Sequence, residues 1–536
     1  MKKKLASLPL LMALSFLTVP FTMGAIGEVE RSFPSPGPSP TGMAWDGKHL
    51  WIADMKVHRI FKVRPEDGTV ISSIPSPGLW PAGLAWDGSH LWNADTVEKK
   101  IFVIDPATGK VLRTMDSPTD APRGMAFDRN DLWLLDDASD EISRVSTSDG
   151  TTIASLKAPG QEATGVSVDG DYFWLSDRMT DEIYRIHKRT GDVLFVLSAP
   201  GPYAWGLAWD GKNLFNVDYQ NDRVYVLKID DPSRYLLREE RKAIVESTHR
   251  VINYGPGKIT NMNAYIAIPE TRDSQTVEGE IIFDPKPDEI LTDRWGQKIA
   301  HYRYKDLPAP SIKEAKMKIR AKVYSITYFI FPEKVGSLDD IPREIKEKYL
   351  VDDEKYMIND PIIRKAASDA VVDEKNPYWI ARKIYNYCIE HLQYERTGGW
   401  NVAPAVLKRG NGSCSEYTFV YIAMCRAAGL PARYVGSVVV RGDDASMDDV
   451  FHRWVEVYLP NYGWVPVDPS GGDSPSPRER AKYFGSLRNR FLITTTSGGG
   501  SEYLSWTYNF NEFYQTEPQT KVQIESFAEW DSLKDR

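Results

Sequence analysis

Gly42-Met-Ala-Trp-Asp-Gly-Lys-His-Leu-Trp-Ile-Ala-Asp54 is the first copy of a pattern that recurs along the N-terminal part of the chain. Related segments begin at Gly83, Gly124, Gly165 and Gly206, each 41 residues after the previous one. Each copy is predicted to form two strands around a tight turn, then a third strand and, after a glycine turn, a fourth. A sheet of four short strands buries its faces only against neighbouring sheets, as in a propeller. The repeat therefore predicts an all-β, five-bladed propeller.

The two ends of the repeat region complement each other. The fifth copy ends near Asp230 without a fourth strand, whereas Glu28-Val-Glu-Arg-Ser-Phe33 matches a fourth strand and precedes the first copy. We predict that this N-terminal strand completes the last blade, so that residues 28–230 form a closed ring. Closure removes the exposed sheet edges that would otherwise invite aggregation.

The propeller is expected to bind or to act as a spacer rather than to catalyse. Its recurring Asp-Gly pairs suit tight turns, which favours a turn role over metal ligation. The Ala44-Trp-Asp-Gly47 and Leu50-Trp-Ile-Ala-Asp54 patterns resemble those of NHL and SMP-30-like propellers. This resemblance implies the fold and not a reaction. We expect a protein or polymer ligand on this part of the chain.

Length, charge and cysteine content narrow the class of protein. A chain of 536 residues is too long for one core and predicts several domains. A net charge of -8 without a long basic run excludes the clustered basic face that nucleic-acid binders use. Three cysteines, Cys388, Cys414 and Cys425, are too few for a disulfide scaffold and fit a lone reactive thiol better.

The first 25 residues have the pattern of a secretory signal peptide. Lys2, Lys3 and Lys4 precede an apolar stretch that ends in small residues. An uncleaved membrane anchor is the alternative, because the apolar stretch approaches the length of a membrane-spanning helix. No second such stretch follows. We expect cleavage, no membrane span afterwards, and a secreted, periplasmic or cell-surface location.

The pattern changes after the propeller. Residues 235–335 contain alternating polar and apolar runs such as Ala264–Ile268 and Met317–Tyr328, which predict an antiparallel β-sandwich. Residues 338–392 then become helical, with Pro361 and Pro377 at first helical positions. We assign residues 338–536 to a helical lead-in and an α+β catalytic domain.

Cys414 is the cysteine most suited to chemistry. It follows a glycine-rich turn and Ser413, a good N-cap, and it opens a helix that ends at Gly429 and Pro431. The free N–H groups and the positive end of the helix dipole at this position favour an anion. The pKa of the thiol should therefore be lowered.

A hairpin downstream supplies a base and a carboxylate. His452 lies on a predicted strand that reaches Leu459, and a turn leads into a strand that ends at Asp468. If Trp454 lies opposite Asp468, then His452 and Asp468 are diagonal neighbours on one face of the sheet. A register shifted by one residue would put them on opposite faces. The pattern therefore predicts a thiol, imidazole and carboxylate acting together.

Four segments resemble, in order, the motifs of the transglutaminase-like superfamily of papain-like thiol enzymes. They are Gly412-Ser-Cys-Ser-Glu416, Arg426-Ala-Ala-Gly-Leu-Pro-Ala-Arg433, His452-Arg-Trp-Val-Glu-Val457 and Gly463-Trp-Val-Pro-Val-Asp468. The resemblance covers roughly residues 360–470. It implies a papain-like α+β fold and an acyl-enzyme formed by a thiolate that attacks an amide.

The same resemblance implies the role of each site residue. Cys414 is expected to be the nucleophile, His452 its base, and Asp468 the group that orients the histidine. The backbone N–H of Cys414 is expected to stabilise the oxyanion, together with a side chain for which Tyr394 is the first candidate and Trp400 the second. Glu416 is expected to brace the helix.

These residues predict an exported cysteine enzyme that cleaves amide bonds of peptides or proteins. The alternatives are a protein-glutamine acyltransferase that crosslinks, and a non-catalytic extracellular binding scaffold. No cluster in the sequence has the spacing of a metal or nucleotide site. No cofactor is therefore expected, and the expected partner is a protein or peptide substrate.

Overall fold

The computed structural model of the chain describes residues 26–230, 232–396, 399–442 and 445–532. The predicted signal peptide, residues 1–25, lies outside the described residues. None of the helices within these four ranges is long and apolar enough to cross a membrane.

The N-terminal part is a five-bladed propeller, as the repeat predicts, and each blade is a four-stranded antiparallel sheet. The first strand of the chain is β1 (Val29–Pro34). Blade 1 contains β2 (Pro40–Trp45), β3 (Leu50–Asp54), β4 (Arg59–Val63) and β5 (Val70–Pro75). Blade 2 contains β6 (Pro81–Trp86), β7 (Leu91–Asp95), β8 (Lys100–Ile104) and β9 (Val111–Asp116). Blade 3 contains β10 (Pro122–Asp128), β11 (Asp131–Asp136), β12 (Glu141–Val145) and β13 (Thr152–Lys157). Blade 4 contains β14 (Ala163–Asp169), β15 (Tyr172–Asp177), β16 (Glu182–His187) and β17 (Val193–Ser198). Blade 5 contains β18 (Ala204–Trp209), β19 (Asn213–Asp218) and β20 (Arg223–Lys228), completed by β1.

The ring closes in the predicted way. Strand β1 pairs antiparallel with β20, with Phe33 opposite Val224. The glycine at the start of each repeat has a steric reason, because the innermost strands of adjacent blades nearly touch. A Cβ on Gly42 would lie 2.7 Å from the carbonyl oxygen of Ala82 in the next blade, and a Cβ on Gly206 would lie 2.9 Å from the backbone nitrogen of Met43. Only glycine permits this spacing around the axis.

A β-sandwich follows, as predicted. Its strands before the catalytic part are β21 (Tyr235–Gly255), β22 (Ile259–Ala267), β23 (Gln275–Asp284), β24 (Glu289–Thr292), β25 (Lys298–Leu307) and β26 (Ser311–Tyr328). Two strands from the end of the chain, β35 (Phe510–Thr516) and β36 (Lys521–Ser532), complete its two sheets. Strand β35 pairs with β22, and β36 pairs with β21. The end of the chain therefore adds its last two strands to the sandwich, not to the catalytic sheet.

The third part combines helices with a four-stranded sheet. Its helices are α1 (Arg343–Tyr349), α2 (Pro361–Val371), α3 (Pro377–His391), α4 (Ala403–Arg409), α5 (Cys414–Ala427) and α6 (Pro477–Ala481). Its longer strands are β29 (Ala432–Val439), β31 (His452–Leu459), β32 (Gly463–Val467) and β34 (Phe491–Ser497), and they form a sheet in the order β32-β31-β29-β34. Its short strands are β27 (Gln393–Tyr394), β28 (Asn411–Gly412), β30 (Ser446–Asp448) and β33 (Ser486–Leu487).

Blade 4 of the propeller packs directly on the helices of the catalytic part. Phe195 of the blade and Phe484 beside the sheet belong to one hydrophobic cluster. Arg382 of α3 is fully buried, donates to the carbonyl oxygen of Val193 at 3.0 Å, and lies 3.5 Å from the carboxylate of Asp192. A buried guanidinium requires such partners. The contact therefore fixes the propeller against the helices that support the site.

Candidate active site

Cys414 lies in the first turn of α5, as predicted. The Ser413 side chain caps the helix by accepting from the N–H of Glu416, and the Glu416 carboxylate accepts from the N–H of Ser413 at 3.1 Å. This reciprocal capping box sets the direction in which the helix begins. The sulfur of Cys414 is half-buried, whereas the other two cysteines are fully buried. Burial raises the pKa of both Cys388 and Cys425, so these two remain thiols.

Glu416 has the bracing role expected of it. The residue is fully buried, and its carboxylate accepts from the backbone N–H and the side-chain amide of Asn401 at 3.1 and 3.0 Å. The guanidinium of Arg409 donates to its other oxygen at 2.8 Å. These bonds tie the loop before α4 and the end of α4 to the base of α5, which holds Cys414 in place.

The hairpin of β31 and β32 has the predicted register. Val455 pairs with Val467, so that Trp454 is in line with Asp468 and His452 lies diagonally across. The Nε2 atom of His452 lies 2.7 Å from Oδ2 of Asp468. The Nδ1 atom is then the ring nitrogen left for Cys414. The structure therefore brings together the three residues that the sequence singles out.

Asp468 is itself held in one orientation. Its Oδ1 atom accepts from the N–H and the hydroxyl of Ser470 at 3.1 and 2.8 Å, and from the N–H of Gly471 at 2.9 Å. The Asp-Pro-Ser-Gly turn after β32 thus occupies one carboxylate oxygen and leaves the other for the histidine. Burial raises the pKa of Asp468, but the charge of His452 together with the hydrogen bonds from His452, Gly471 and Ser470 outweighs it, and the net pKa is lowered.

The charges of Cys414 and His452 stabilise each other. Burial alone would raise the pKa of the Cys414 thiol, but the hydrogen bond and charge of His452 outweigh it, and the pKa is lowered. The backbone N–H of Arg453 adds to this lowering. Burial disfavours charge on His452, yet Asp468 and the sulfur raise its pKa to about 10. Both shifts favour the thiolate form of Cys414 beside the imidazolium form of His452.

Cys414 and His452 open into a cavity of about 590 Å³, here called the main cleft. Both oxyanion candidates line it: Tyr394 is 43% exposed and Trp400 is 41% exposed. Trp400 packs on the guanidinium of Arg453 at 4.8 Å, which fixes its ring. The pKa of Tyr394 is raised by burial and by the nearby sulfur of Cys414, so its hydroxyl keeps its proton and can donate. Both side chains lie at the cleft, and the oxyanion role stays a prediction for each.

The sequence did not predict the opposite wall of the main cleft. Tyr508, Asn509, Phe510 and Ser526 line it, and they come from the end of the chain. The sequence analysis assigned their segment to the domain of residues 338–536 but predicted no contact between it and the site. Strands β35 and β36 bring these residues to the site because they join the sandwich beside the catalytic sheet.

A second cavity of about 330 Å³ lies on the other side of His452, and we call it the basic wing. His452 and Asp468 line it, and Tyr394 and Arg441 line both cavities. Its other charged lining residues are Lys482, Arg488 and Arg490. The sequence analysis did not single out any of these four basic residues.

Within the four ranges that the structure describes, no group of three or more histidine, cysteine or acidic side chains could hold a metal ion.

Residues 364–469 match the family model of the transglutaminase-like superfamily, and this part of the chain is a transglutaminase-like domain. Cys414, His452 and Asp468 all lie within the matched range. The sequence resemblance to this superfamily is therefore confirmed for residues 364–469.

Two curated relatives align with short parts of the chain. The uncharacterized protein YebA of Bacillus subtilis is 25% identical over 171 residues, which are 28% of this chain and 23% of YebA. An uncharacterized protein of Haemophilus influenzae is 26% identical over 169 residues, which are 26% of this chain and 45% of that protein. The chain thus covers less than half of either relative.

Two solved structures have low similarity to the chain. A Cytophaga hutchinsonii protein, provisionally named a cysteine protease, is 14% identical with a TM-score of 0.40 and covers 56% of this chain and 94% of its own. Virginiamycin B lyase of Staphylococcus aureus is 18% identical with a TM-score of 0.27 and covers 37% of this chain and 68% of its own.

Proposed function

We propose that this chain is an exported cysteine enzyme that hydrolyses amide bonds of peptides or proteins through an acyl-enzyme on Cys414. The observation that carries the proposal is the 2.7 Å contact between His452 and Asp468, made beside a sulfur whose pKa is lowered. A half-buried thiolate next to an oriented imidazolium is the arrangement of an activated nucleophile.

The reaction steps follow from the orientation of the His452 ring, whose Nε2 atom faces Asp468 and whose Nδ1 atom is left for Cys414. The Cys414 thiolate attacks the amide carbonyl, and the oxyanion forms near the N–H of Cys414, which has no partner within the helix because it lies in the first turn. The intermediate collapses, the C–N bond breaks, and His452 gives the proton on Nδ1 to the departing amine. His452 then takes a proton from water, the hydroxide attacks the thioester, and the thiolate leaves with the acid product released.

Hydrolysis is favoured over amine transfer by the charges around the basic wing. An acceptor amine enters where the leaving amine departs, next to His452. The side chains of Arg441, Lys482, Arg488 and Arg490 surround this space. A lysine ammonium would be repelled there, whereas water is not. Crosslinking through protein lysines is therefore the second candidate.

The proposal that the protein is exported depends on the signal-peptide pattern of the first 25 residues. The propeller is proposed to bind a protein or polymer ligand. Both ideas are consistent with a substrate outside the cell. The N-terminal residue of the protein purified from its native host would report cleavage of the signal. A mature chain that begins near residue 26 is the expected result.

One assay separates the two reactions. The protein is incubated with a peptide pool and a fluorescent primary amine, and both new amino termini and incorporated fluorescence are measured. We expect new termini and little fluorescence. Incorporation that exceeds hydrolysis would overturn the hydrolase proposal in favour of transfer. The assay could also give neither new termini nor fluorescence, although Cys414 reacts with a thiol-directed probe. That outcome would count against any acyl-enzyme chemistry on peptides.

A further inference from the structure

We propose that the substrate carries acidic side chains on the leaving-group side of the scissile bond, and that the basic wing binds them. This inference rests on the proposed function, because it assigns a direction to the substrate in the cleft. It names a substrate class that the catalytic residues by themselves do not define.

The direction comes from how the two cavities share their walls. Cys414 and its neighbours Ser413 and Ser415 line the main cleft and not the basic wing, whereas Asp468 lines the basic wing and not the main cleft. His452 lines both. The acyl group must stay at the sulfur, and the leaving amine must receive its proton from His452. The segment after the scissile bond therefore extends past His452 into the basic wing.

Two of the four basic side chains already have acidic partners. Arg441 lies 3.0 Å from the buried carboxylate of Asp448, and Lys482 lies 2.8 Å from Glu479. These pairs fix the edges of the wing and contribute little net charge.

The other two make no direct ion pair, although the charge of Arg488 acts on Glu479 from a distance and lowers the pKa of that carboxyl. Arg490 donates to the carbonyl oxygens of Val440 and Arg441, and Arg488 is exposed. Among the residues that the structure describes, neither has a carboxylate within 4.0 Å. The acid on the wall of the wing, Asp468, is already engaged with His452.

The local charge is therefore opposite to that of the whole chain. The protein has a formal net charge of -8, yet this cavity presents two guanidinium groups without a carboxylate in direct contact, close to His452. Guanidinium groups pair with carboxylates through two parallel hydrogen bonds, which suits Asp or Glu side chains or a terminal carboxylate. Trp454 and Phe491 line the same cavity and provide apolar surface for the stem of such a side chain.

Arg488 is the residue to change, because it is exposed and no described hydrogen bond or direct ion pair holds it, so its replacement should leave the fold intact. The assay compares quenched-fluorescent peptides with mixed acyl sides and with Glu-Glu, Gln-Gln or Lys-Lys after the scissile bond. We expect kcat/KM for the Glu-Glu pool to exceed that for the Gln-Gln pool at least fivefold at low salt. Arg488→Glu should reduce this ratio to below two, and 0.5 M salt should weaken it in the wild type.

The matched control is Arg343→Glu on α1, whose side chain is 88% exposed and lines neither cavity. It should retain the wild-type ratio. Equal kcat/KM for the Glu-Glu and Gln-Gln pools would overturn the inference and leave the proposed hydrolysis standing. The inference would also be overturned if the Arg488→Glu variant kept the preference for the Glu-Glu pool. If no pool is cleaved, the proposed function fails. Fluorescence anisotropy with Cys414→Ala and a labelled Glu-rich hexapeptide, against its Gln-rich counterpart, then decides whether the wing binds acidic chains.

Discussion

Replacement of Cys414 by alanine is expected to reduce amide hydrolysis to the uncatalysed background, a loss on the order of 10⁵-fold or more in kcat/KM. The sulfur is the atom that forms the acyl-enzyme, so no other group in the cleft can substitute for it. The expected measurement is steady-state cleavage of a fluorogenic peptide by both proteins.

The control for this change is Cys388→Ala in α3. That thiol is fully buried, and burial raises its pKa, so it has no part in the reaction. The control should stay within about threefold of the wild type, since it loses one buried sulfur and no chemistry. A Cys414→Ala protein that keeps more than about 1% of the wild-type rate would contradict the assignment of the nucleophile.

Asp468→Asn should have the second largest effect, a reduction of about 10³-fold in kcat/KM with the fold retained. The change keeps the size of the side chain but removes the charge that raises the pKa of His452 to about 10. The basic limb of the pH–rate profile should therefore move to lower pH, because the imidazolium loses its proton earlier. The measurement is kcat/KM from pH 5 to 11.

Asp449→Asn is the matched control, since Asp449 also lines the main cleft and is exposed. It should leave both the rate and the basic limb nearly unchanged. An Asp468→Asn enzyme within about threefold of the wild type, or with an unmoved basic limb, would show that Asp468 does not orient the histidine.

Much of the fold followed from local signals. The 41-residue spacing predicted the blades, and the match of Glu28–Phe33 to a missing fourth strand predicted the closure of the ring through β20. The hairpin after Leu459 limited β31 and β32 to a few registers, and the structure has the one that sets His452 and Asp468 on one face. Each of these signals lies within a short stretch of the chain or recurs at a fixed spacing, so it can be recognised without knowledge of distant contacts.

The residues that line the walls of the main cleft and the basic wing could not be predicted from local sequence signals. Strand β35 pairs with β22, so Asn263 meets Phe513 across about half the chain. Alternation indicates that a strand exists and which face is apolar, but not which distant strand it joins. The placement of Phe510 and Ser526 at the main cleft depends on that distant pairing. The convergence of Arg441, Arg488 and Arg490 on the basic wing likewise depends on loops that meet only in the folded chain.

The central claim is that the sulfur of Cys414 and the ring of His452 form an ion pair at neutral pH. The most direct test is the rate of Cys414 alkylation by iodoacetamide as a function of pH, in the wild type and in His452→Ala, followed by mass spectrometry of the labelled peptide. Because the pKa of Cys414 is lowered, the wild type should react rapidly at pH values where an ordinary thiol, with a pKa of about 8.5, is protonated. Loss of the imidazolium should move the midpoint of the variant upward. Identical profiles in the two proteins, both with an ordinary thiol midpoint, would contradict the account.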